Sequence, residues 1–134
     1  MPLAFYVAYK SKFSYMNSKQ VMNHAADNIR ILAASMVEKA KSGHPGGAMG
    51  GADFINVLYA EYLQYDPKNP KWEGRDRFFL DPGHMSPMLY SQLALIGKFT
   101  LDELKQLRQW GSPTPGHPEV DVMRGIENTS GPLG

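Results

Sequence analysis

Residues 21–40 read VMNHAADNIRILAASMVEKA, and the apolar side chains of this stretch recur at three- and four-residue steps. The recurring positions are Val21, Ala25, Ile29, Leu32, Ala33, Met36, Val37 and Ala40. Such spacing places them along one side of an α-helix, and that side must pack against other elements. Gly43 follows where a left-handed residue often ends a helix. The sequence therefore predicts a long amphipathic helix that frames one domain.

Two further stretches predict helices that share this core. Residues 52–63 carry apolar side chains at helical spacing and begin within a glycine-rich run. Ser86 followed by Pro87 is typical of a helix start, because serine can cap free amide groups and proline is tolerated at the first helical position. We expect this helix to run to about Ile96.

The second half of the chain predicts a mixed α/β structure. Thr100 and Glu103 have the spacing of a capping box and open a predicted helix that continues to about Trp110. The short apolar run at residues 77–80 predicts a buried strand. Residues 112–134 hold four prolines and four glycines without periodicity, which is typical of a functional or disordered segment. These patterns together predict an α/β scaffold.

Composition excludes several classes of protein. The chain has 134 residues, 43% of them hydrophobic and 20% charged, with a formal net charge of +1, so it suits one globular domain and predicts no nucleic-acid partner. It has no cysteine, which suits a cytoplasmic location, and it lacks an apolar run long enough for a membrane span. Residues 1–15 are interpreted as an extension without a secretion signal, and residues 16–134 as the domain.

Three of the four histidines follow a glycine in a predicted loop. They lie in Gly43-His44-Pro45, Gly83-His84 and Gly116-His117-Pro118. Imidazole is the side chain best suited to moving protons near neutral pH, so the repeated setting favours a shared site, although solvated turn histidines explain each one equally well. No zinc spacing, phosphate-binding loop or serine hydrolase motif is present. The residue types and their spacing, taken by themselves, predict a histidine-lined site that is compatible with a phosphate group.

Several motifs together resemble the transketolase family over about residues 20–134. The motifs are Lys41-Ser42-Gly43-His44-Pro45-Gly46-Gly47-Ala48, Gly74-Arg75-Asp76-Arg77-Phe78, Gly83-His84, Thr114-Pro115-Gly116-His117-Pro118-Glu119 and Thr129-Ser130-Gly131-Pro132-Leu133-Gly134. Their order and approximate spacing match those of the family. The resemblance implies the beginning of an α/β thiamine diphosphate-binding domain, with a parallel sheet flanked by helices.

The resemblance also implies a reaction and roles for individual residues. Transketolases transfer a two-carbon ketol unit from a ketose phosphate to an aldose phosphate in the pentose phosphate pathway, as homodimers, with thiamine diphosphate and Mg²⁺ or another divalent ion. By the family pattern, His44 binds substrate and assists proton transfer, and His117 holds the hydroxyl end of the donor. The residues implied to contact the cofactor are His84, Gly131, Pro132 and Leu133.

The sequence departs from the family by what it lacks. The Gly-Asp-Gly element and the asparagine that bind the divalent ion in the family would lie beyond Gly134, so no metal ligand is predicted here. The chain is interpreted as a fragment that is inactive alone and needs the C-terminal part of transketolase as a partner. Two alternatives stay open: a non-catalytic thiamine diphosphate- or phosphate-binding module, and a related ketol-transferring enzyme of the dihydroxyacetone synthase or deoxyxylulose phosphate synthase type.

Deleting residues 1–15 from a complete protein is expected to leave its fold unchanged, because this aromatic segment has no place in the helical pattern. Thermal unfolding with and without the segment measures the effect. A substantial loss of melting temperature on deletion would mean that the segment packs against the domain.

Overall fold

The computed structural model describes residues 19–131, so the extension at residues 1–15 and the predicted cofactor contacts Pro132 and Leu133 lie outside the described part. The described α-helices are α1 (Lys19–Ala40), α2 (Pro45–Gly50), α3 (Ala52–Val57), α4 (Ser86–Leu95) and α5 (Leu101–Leu104). A π-helical turn, Leu58–Tyr62, continues α3, and short 3₁₀ turns occupy Gly83–Met85 and Val122–Arg124.

Helix α1 is amphipathic as predicted, and of the predicted positions Ile29, Ala33 and Met36 are buried, whereas Val21 is 52% exposed. Ala26, Ile29, Ala33 and Met36 are all buried, at the three- and four-residue steps of one helix face. Helix α1 packs against α2, α3 and α4, so these three shorter helices all contact the same long helix. None of the helices in residues 19–131 is long and apolar enough to cross a bilayer.

Helix α4 is buried over most of its length, because each residue from Ser86 to Leu93 is enclosed by neighbouring elements and only the last residue, Leu95, is exposed. Within this buried stretch the polar side chains have little water to bind, which favours partners in the protein, although Gln92 Oε1 has none within residues 19–131. The Ser86 hydroxyl accordingly donates to the carbonyl oxygen of Gly116 at 2.8 Å and does not cap the helix. The predicted capping role of Ser86 is therefore wrong, whereas the predicted extent of the helix is confirmed to within one residue.

Helix α5 has the predicted start but ends early. The capping box of Thr100 and Glu103 is confirmed, because each side chain binds the other residue's main-chain N–H. The α-helix stops at Leu104, where the prediction had continued it to Trp110. After Leu104 the main chain forms tighter three-residue turns, with the N–H of Gln106 and Leu107 donating to the carbonyls of Glu103 and Leu104, and the positive φ of 62° at Arg108 prevents a helix from resuming.

Residues 19–131 contain no β-strand, and the prediction of a strand at residues 77–80 is wrong for this part of the chain. A single antiparallel bridge joins Asp121 and Ile126. The main chain of buried Leu80 pairs with a side chain: its N–H donates to Asn128 Oδ1 at 3.0 Å, and its carbonyl accepts from Asn128 Nδ2 at 3.1 Å. The described architecture is helical, and the parallel sheet stays a prediction.

The irregular segment after α5 is nonetheless packed into the domain. Thr114, Pro118 and Ile126 are buried. Glu127 forms a two-point ion pair with Arg75, with Nε–Oε1 and Nη2–Oε2 distances of 2.6 and 2.9 Å and side chains only 9% and 10% exposed. Residues 112–131 are therefore fixed by buried side chains and polar contacts in place of regular secondary structure.

Replacing Asn128 with Ala is expected to lower the free energy of unfolding by about 1–3 kcal/mol, because it leaves two buried main-chain groups of Leu80 without partners. Urea unfolding, with extrapolation to water, measures the change. The matched control is Asn69→Ala, which alters an exposed turn residue and should stay within about 0.5 kcal/mol of the parent. Equal stabilities for the two variants would contradict the role given to Asn128.

Candidate functional site

His44 lies between α1 and α2, at the N-cap position of α2, and its side chain makes no hydrogen bond to the helix. Its main chain is extended, with φ −121° and ψ 106°, and Pro45 follows in the first turn of the helix. The preceding Gly43 has a φ of 128°, a conformation that side-chain-bearing residues rarely adopt. A side chain at Gly43 would also come within 3.3 Å of Val37 on α1. Glycine at position 43 therefore lets the main chain turn away from α1 while it stays in close contact with Val37. The His44 imidazole that follows is exposed.

His84 lies in the 3₁₀ turn that leads into α4, directly beside His44. The two ring centroids are 4.9 Å apart and the ring planes are tilted by 54°. Close packing of α2 on this turn explains the proximity, because an added Cβ at Gly47 would lie 3.0 Å from Met85 Cγ. Glycine in α2 thus lets the helix approach the turn that carries His84.

His117 belongs to the loop after α5, and α4 fixes that loop by hydrogen bonds. The Tyr90 hydroxyl donates to the carbonyl of Pro115 at 2.9 Å, next to the bond from Ser86 to Gly116. Burial lowers the pKa of His117 below its ordinary value, and the charges of Arg108, His84 and His44 lower that pKa further. The three loop histidines singled out in the sequence are therefore brought together in one cluster.

Gly131 meets the His84 turn through a contact between two main-chain segments. The N–H of Gly83 donates to the carbonyl of Gly131 at 3.0 Å. A Cβ at Gly83 would lie 2.6 Å from that oxygen and 2.7 Å from the carbonyl oxygen of Ser130, so only glycine permits the approach. The predicted cofactor contacts His84 and Gly131 are thus neighbours in space.

The cluster fits a polar or phosphorylated ligand better than a bare metal ion. It combines imidazoles with a buried Ser130 hydroxyl that has no hydrogen-bond partner within residues 19–131. In the described part of the chain, no three His, Cys, Asp or Glu side chains are grouped closely enough to hold a metal. The residues present can therefore contribute hydrogen bonds to thiamine diphosphate.

Sequence reasoning missed the residues that hold this cluster together. Arg108 was placed inside a predicted helix, and its contacts with the histidine loops have no local sequence signal. Tyr90 and Ser86 were interpreted as parts of a helix, since the acceptors of their hydroxyls lie 25 and 30 residues away. Of the residues that hold the cluster together, Gly83 could be found from the sequence. A glycine precedes each of the three loop histidines, and such a glycine marks a position where the main chain is crowded or turned.

The three loop histidines lie beside the close main-chain contact between Gly83 and Gly131, which only glycine at position 83 permits. Together they define a candidate binding site for a ligand with phosphate and hydroxyl groups. Comparison with known protein families is consistent with this class of site. The family described as transketolase, thiamine diphosphate binding domain, matches residues 21–134. This chain belongs to that family.

Individual relatives agree with the family assignment. Transketolase-1, chloroplastic, of Arabidopsis thaliana is 53% identical over 116 residues, which are 85% of this chain and 16% of the relative. Transketolase 1 of Escherichia coli is 52% identical over 110 residues, 81% of this chain and 17% of the relative. A crystal structure of Pichia stipitis transketolase with sedoheptulose 7-phosphate matches with a TM-score of 0.79 and 45% identity, over 84% of this chain and 17% of that one. The chain thus spans about a sixth of these relatives.

Replacing Gly83 with Ala is expected to lower the free energy of unfolding by about 1–3 kcal/mol, because the new methyl group must push apart two main-chain segments. The matched control is Gly50→Ala, where no atom lies within 4 Å of the added carbon. That change should be neutral or stabilise by up to about 1 kcal/mol, since alanine favours helix more than glycine does. Chemical denaturation of both variants measures the difference, and a stable Gly83→Ala protein would contradict the close approach at Gly131.

Proposed function

We propose that this chain forms part of the thiamine diphosphate site of a transketolase, and that the complete protein transfers a two-carbon ketol unit from a ketose phosphate to an aldose phosphate. The observation that carries the proposal is the meeting of His44, His84 and His117, which are separated by 40 and 33 residues in sequence, in one cluster. The family match over residues 21–134 supports the same conclusion.

His84 and the segment from Gly131 to Leu133 are proposed to contact the cofactor. When bound, thiamine diphosphate supplies the carbon nucleophile that cleaves and forms the carbon–carbon bond. The hydrogen bond between Gly83 and Gly131 supports this role, because it joins the His84 turn to the glycine-rich segment. The Ser130 hydroxyl has no hydrogen-bond partner within residues 19–131, and Ser130 adjoins the Gly83–Gly131 contact. It is a further donor proposed for an anionic group. Magnesium or another divalent ion is proposed to bind through residues of the complete protein beyond Gly134.

His44 and His117 are proposed to act on the substrate. His44 is exposed and lies against the ring of His84, so it can reach a sugar bound beside the cofactor and transfer a proton there. The lowered pKa of His117 favours the neutral imidazole, which can donate one hydrogen bond and accept another. A neutral imidazole suits the proposed task of holding the hydroxyl end of the donor.

The proposed partners are sugar phosphates, the remaining part of the transketolase chain and a second subunit of a homodimer. The solved complex of the Pichia stipitis relative with sedoheptulose 7-phosphate supports the substrate class. An apolar groove between α3 and its π-helical extension supports contact with further protein, because Phe54 and Tyr62 in its lining are 61% and 71% exposed. A parallel sheet completed by the rest of the chain and a cytoplasmic location belong to the same proposal.

In a complete enzyme that carries these residues, His44→Ala is expected to reduce turnover by about 100- to 10,000-fold, as for loss of a group that transfers a proton or positions one. Its cofactor affinity should change little. His84→Ala should instead weaken cofactor binding, because His84 follows Gly83, whose N–H is hydrogen-bonded to Gly131. Steady-state kinetics with a ketose phosphate and an aldose phosphate, together with calorimetric titration of thiamine diphosphate and Mg²⁺, separate the two effects.

The matched control is His24→Ala, since His24 is exposed on α1 and belongs to none of the three loops. This variant should keep the parent's turnover and affinity. A His44→Ala enzyme with near-normal turnover at saturating substrate would contradict its assignment. Cofactor binding by the parent without any ketol transfer would favour the non-catalytic binding module instead.

A further inference from the structure

Arg108 contacts the loop that carries His44. Its Nη1 donates a hydrogen bond to Ser42 Oγ at 3.0 Å, across 66 residues of sequence. Its Nε also lies 3.7 Å from where a Cβ of Gly43 would be. The guanidinium group is thus seated against the two residues that immediately precede His44.

The same side chain lies on the loop that carries His117. A Cβ at Gly116 would come within 2.9 Å of Arg108 Nε, 3.1 Å of its Cγ and 3.2 Å of its Cζ. Both the stem and the planar group of Arg108 therefore cover the main chain of Gly116. A residue larger than glycine at position 116 would displace the arginine from this seat.

The main chain of Arg108 is itself tied to the His117 loop. Its N–H donates to the carbonyl of Thr114 at 3.0 Å, and its φ of 62° is uncommon for a residue other than glycine. Thr114 is fully buried, and its hydroxyl donates to the carbonyl of Glu103 at 3.0 Å. An unfavourable conformation held in place by its surroundings is a reason to look for a role at that residue.

We propose that Arg108 is a positioning residue for ketol transfer: it bridges the His44 and His117 loops and keeps their imidazoles at a fixed spacing. This role rests on the function proposed above and goes beyond it, because Arg108 is not needed to touch cofactor or substrate. Guanidinium suits the task, since its planar, always charged group can bind Ser42 while it lies flat on Gly116. A fixed spacing matters because small displacements of groups near reacting atoms greatly reduce rate.

The charge of Arg108 gives the bridge a second, measurable consequence. After burial, it is the largest influence that lowers the pKa of His117, ahead of His84 and His44, the other titratable groups that act on this imidazole. Removing the guanidinium should therefore raise the pKa of His117, both by loss of a positive charge and by admitting water.

The test uses a complete enzyme that carries this chain, with the variants Arg108→Met, Arg108→Lys and Ser42→Ala. We expect Arg108→Met to lower kcat about 10- to 100-fold at saturating cofactor, through misplaced histidines. Its dissociation constant for thiamine diphosphate should change much less. Arg108→Lys keeps the charge without the planar group, so it should hold the pKa of His117 near the parent's value and restore kcat only in part. Ser42→Ala removes one hydrogen bond and should cause a smaller loss of kcat.

Two readouts accompany the kinetics: the melting temperature, and the titration of His117 followed by NMR in histidine-labelled protein. The matched control is Arg124→Met, because Arg124 also bridges two segments, through Glu103 and the ring of Phe99, but touches none of the histidine loops. This control can lose stability yet should keep kcat and the His117 titration. A rise in the pKa of His117 by about half a unit or more is expected only for Arg108→Met.

Wild-type kcat and an unchanged His117 titration in Arg108→Met would overturn the proposal. If Arg108→Met does not fold, wild-type kcat in both Arg108→Lys and Ser42→Ala would overturn it equally. Absence of ketol transfer in the parent enzyme itself would instead refute the proposed function. In that case the His117 titration and the histidine chemical shifts of the Arg108 variants still decide whether the arginine fixes the two loops.

Discussion

The arrangement of the site depends on the burial of α4. Because this helix is buried from Ser86 to Leu93, the hydroxyls of Ser86 and Tyr90 take acceptors inside the protein, which are the carbonyls of Gly116 and Pro115. A buried hydroxyl without a partner destabilises a fold by about 1–3 kcal/mol, so each of these bonds strongly favours one position of the loop. The same helix begins at the His84 turn. One buried element thereby sets the places of His84 and His117 together.

The parts of the fold that the sequence predicted are those with short-range causes. Helix α1 follows from a repeat contained within twenty residues, and the predicted core positions Ile29, Ala33 and Met36 are buried. The capping box at Thr100 involves residues three apart, and it is also confirmed. The glycines before the histidines predicted turns, and Gly43 has the positive φ expected near the end of a helix. The identity of the three clustered histidines was predicted from these local settings, whereas their catalytic and binding roles stay predictions.

The wrong predictions share a physical cause, which is a partner far away in sequence. Ser86 reads locally as a helix cap, but its hydroxyl is taken by a carbonyl 30 residues later. Residues 77–80 read as a strand, but the partner of Leu80 is a single side chain, Asn128, which supplies both an acceptor and a donor. Arg108 reads as a helical residue, but its N–H binds the carbonyl of Thr114 and its side chain reaches Ser42. No local pattern encodes contacts of this kind.

Arg108 and His117 are both positively charged when protonated, but only the imidazole can lose its proton near neutral pH. Arginine stays protonated at all physiological pH values, so the cost of placing two cations close together in a partly buried loop falls on His117. Burial is the main cause that lowers the pKa of His117 and the charge of Arg108 lowers it further, so the folded protein binds fewer protons at this site than the unfolded chain does. By linkage, the site weakens the fold as the pH falls below the ordinary pKa of histidine, about 6.5, and leaves it unaffected above that value. Burial and the positive charge of Arg108 together therefore favour the neutral imidazole of His117, which can both donate and accept a hydrogen bond.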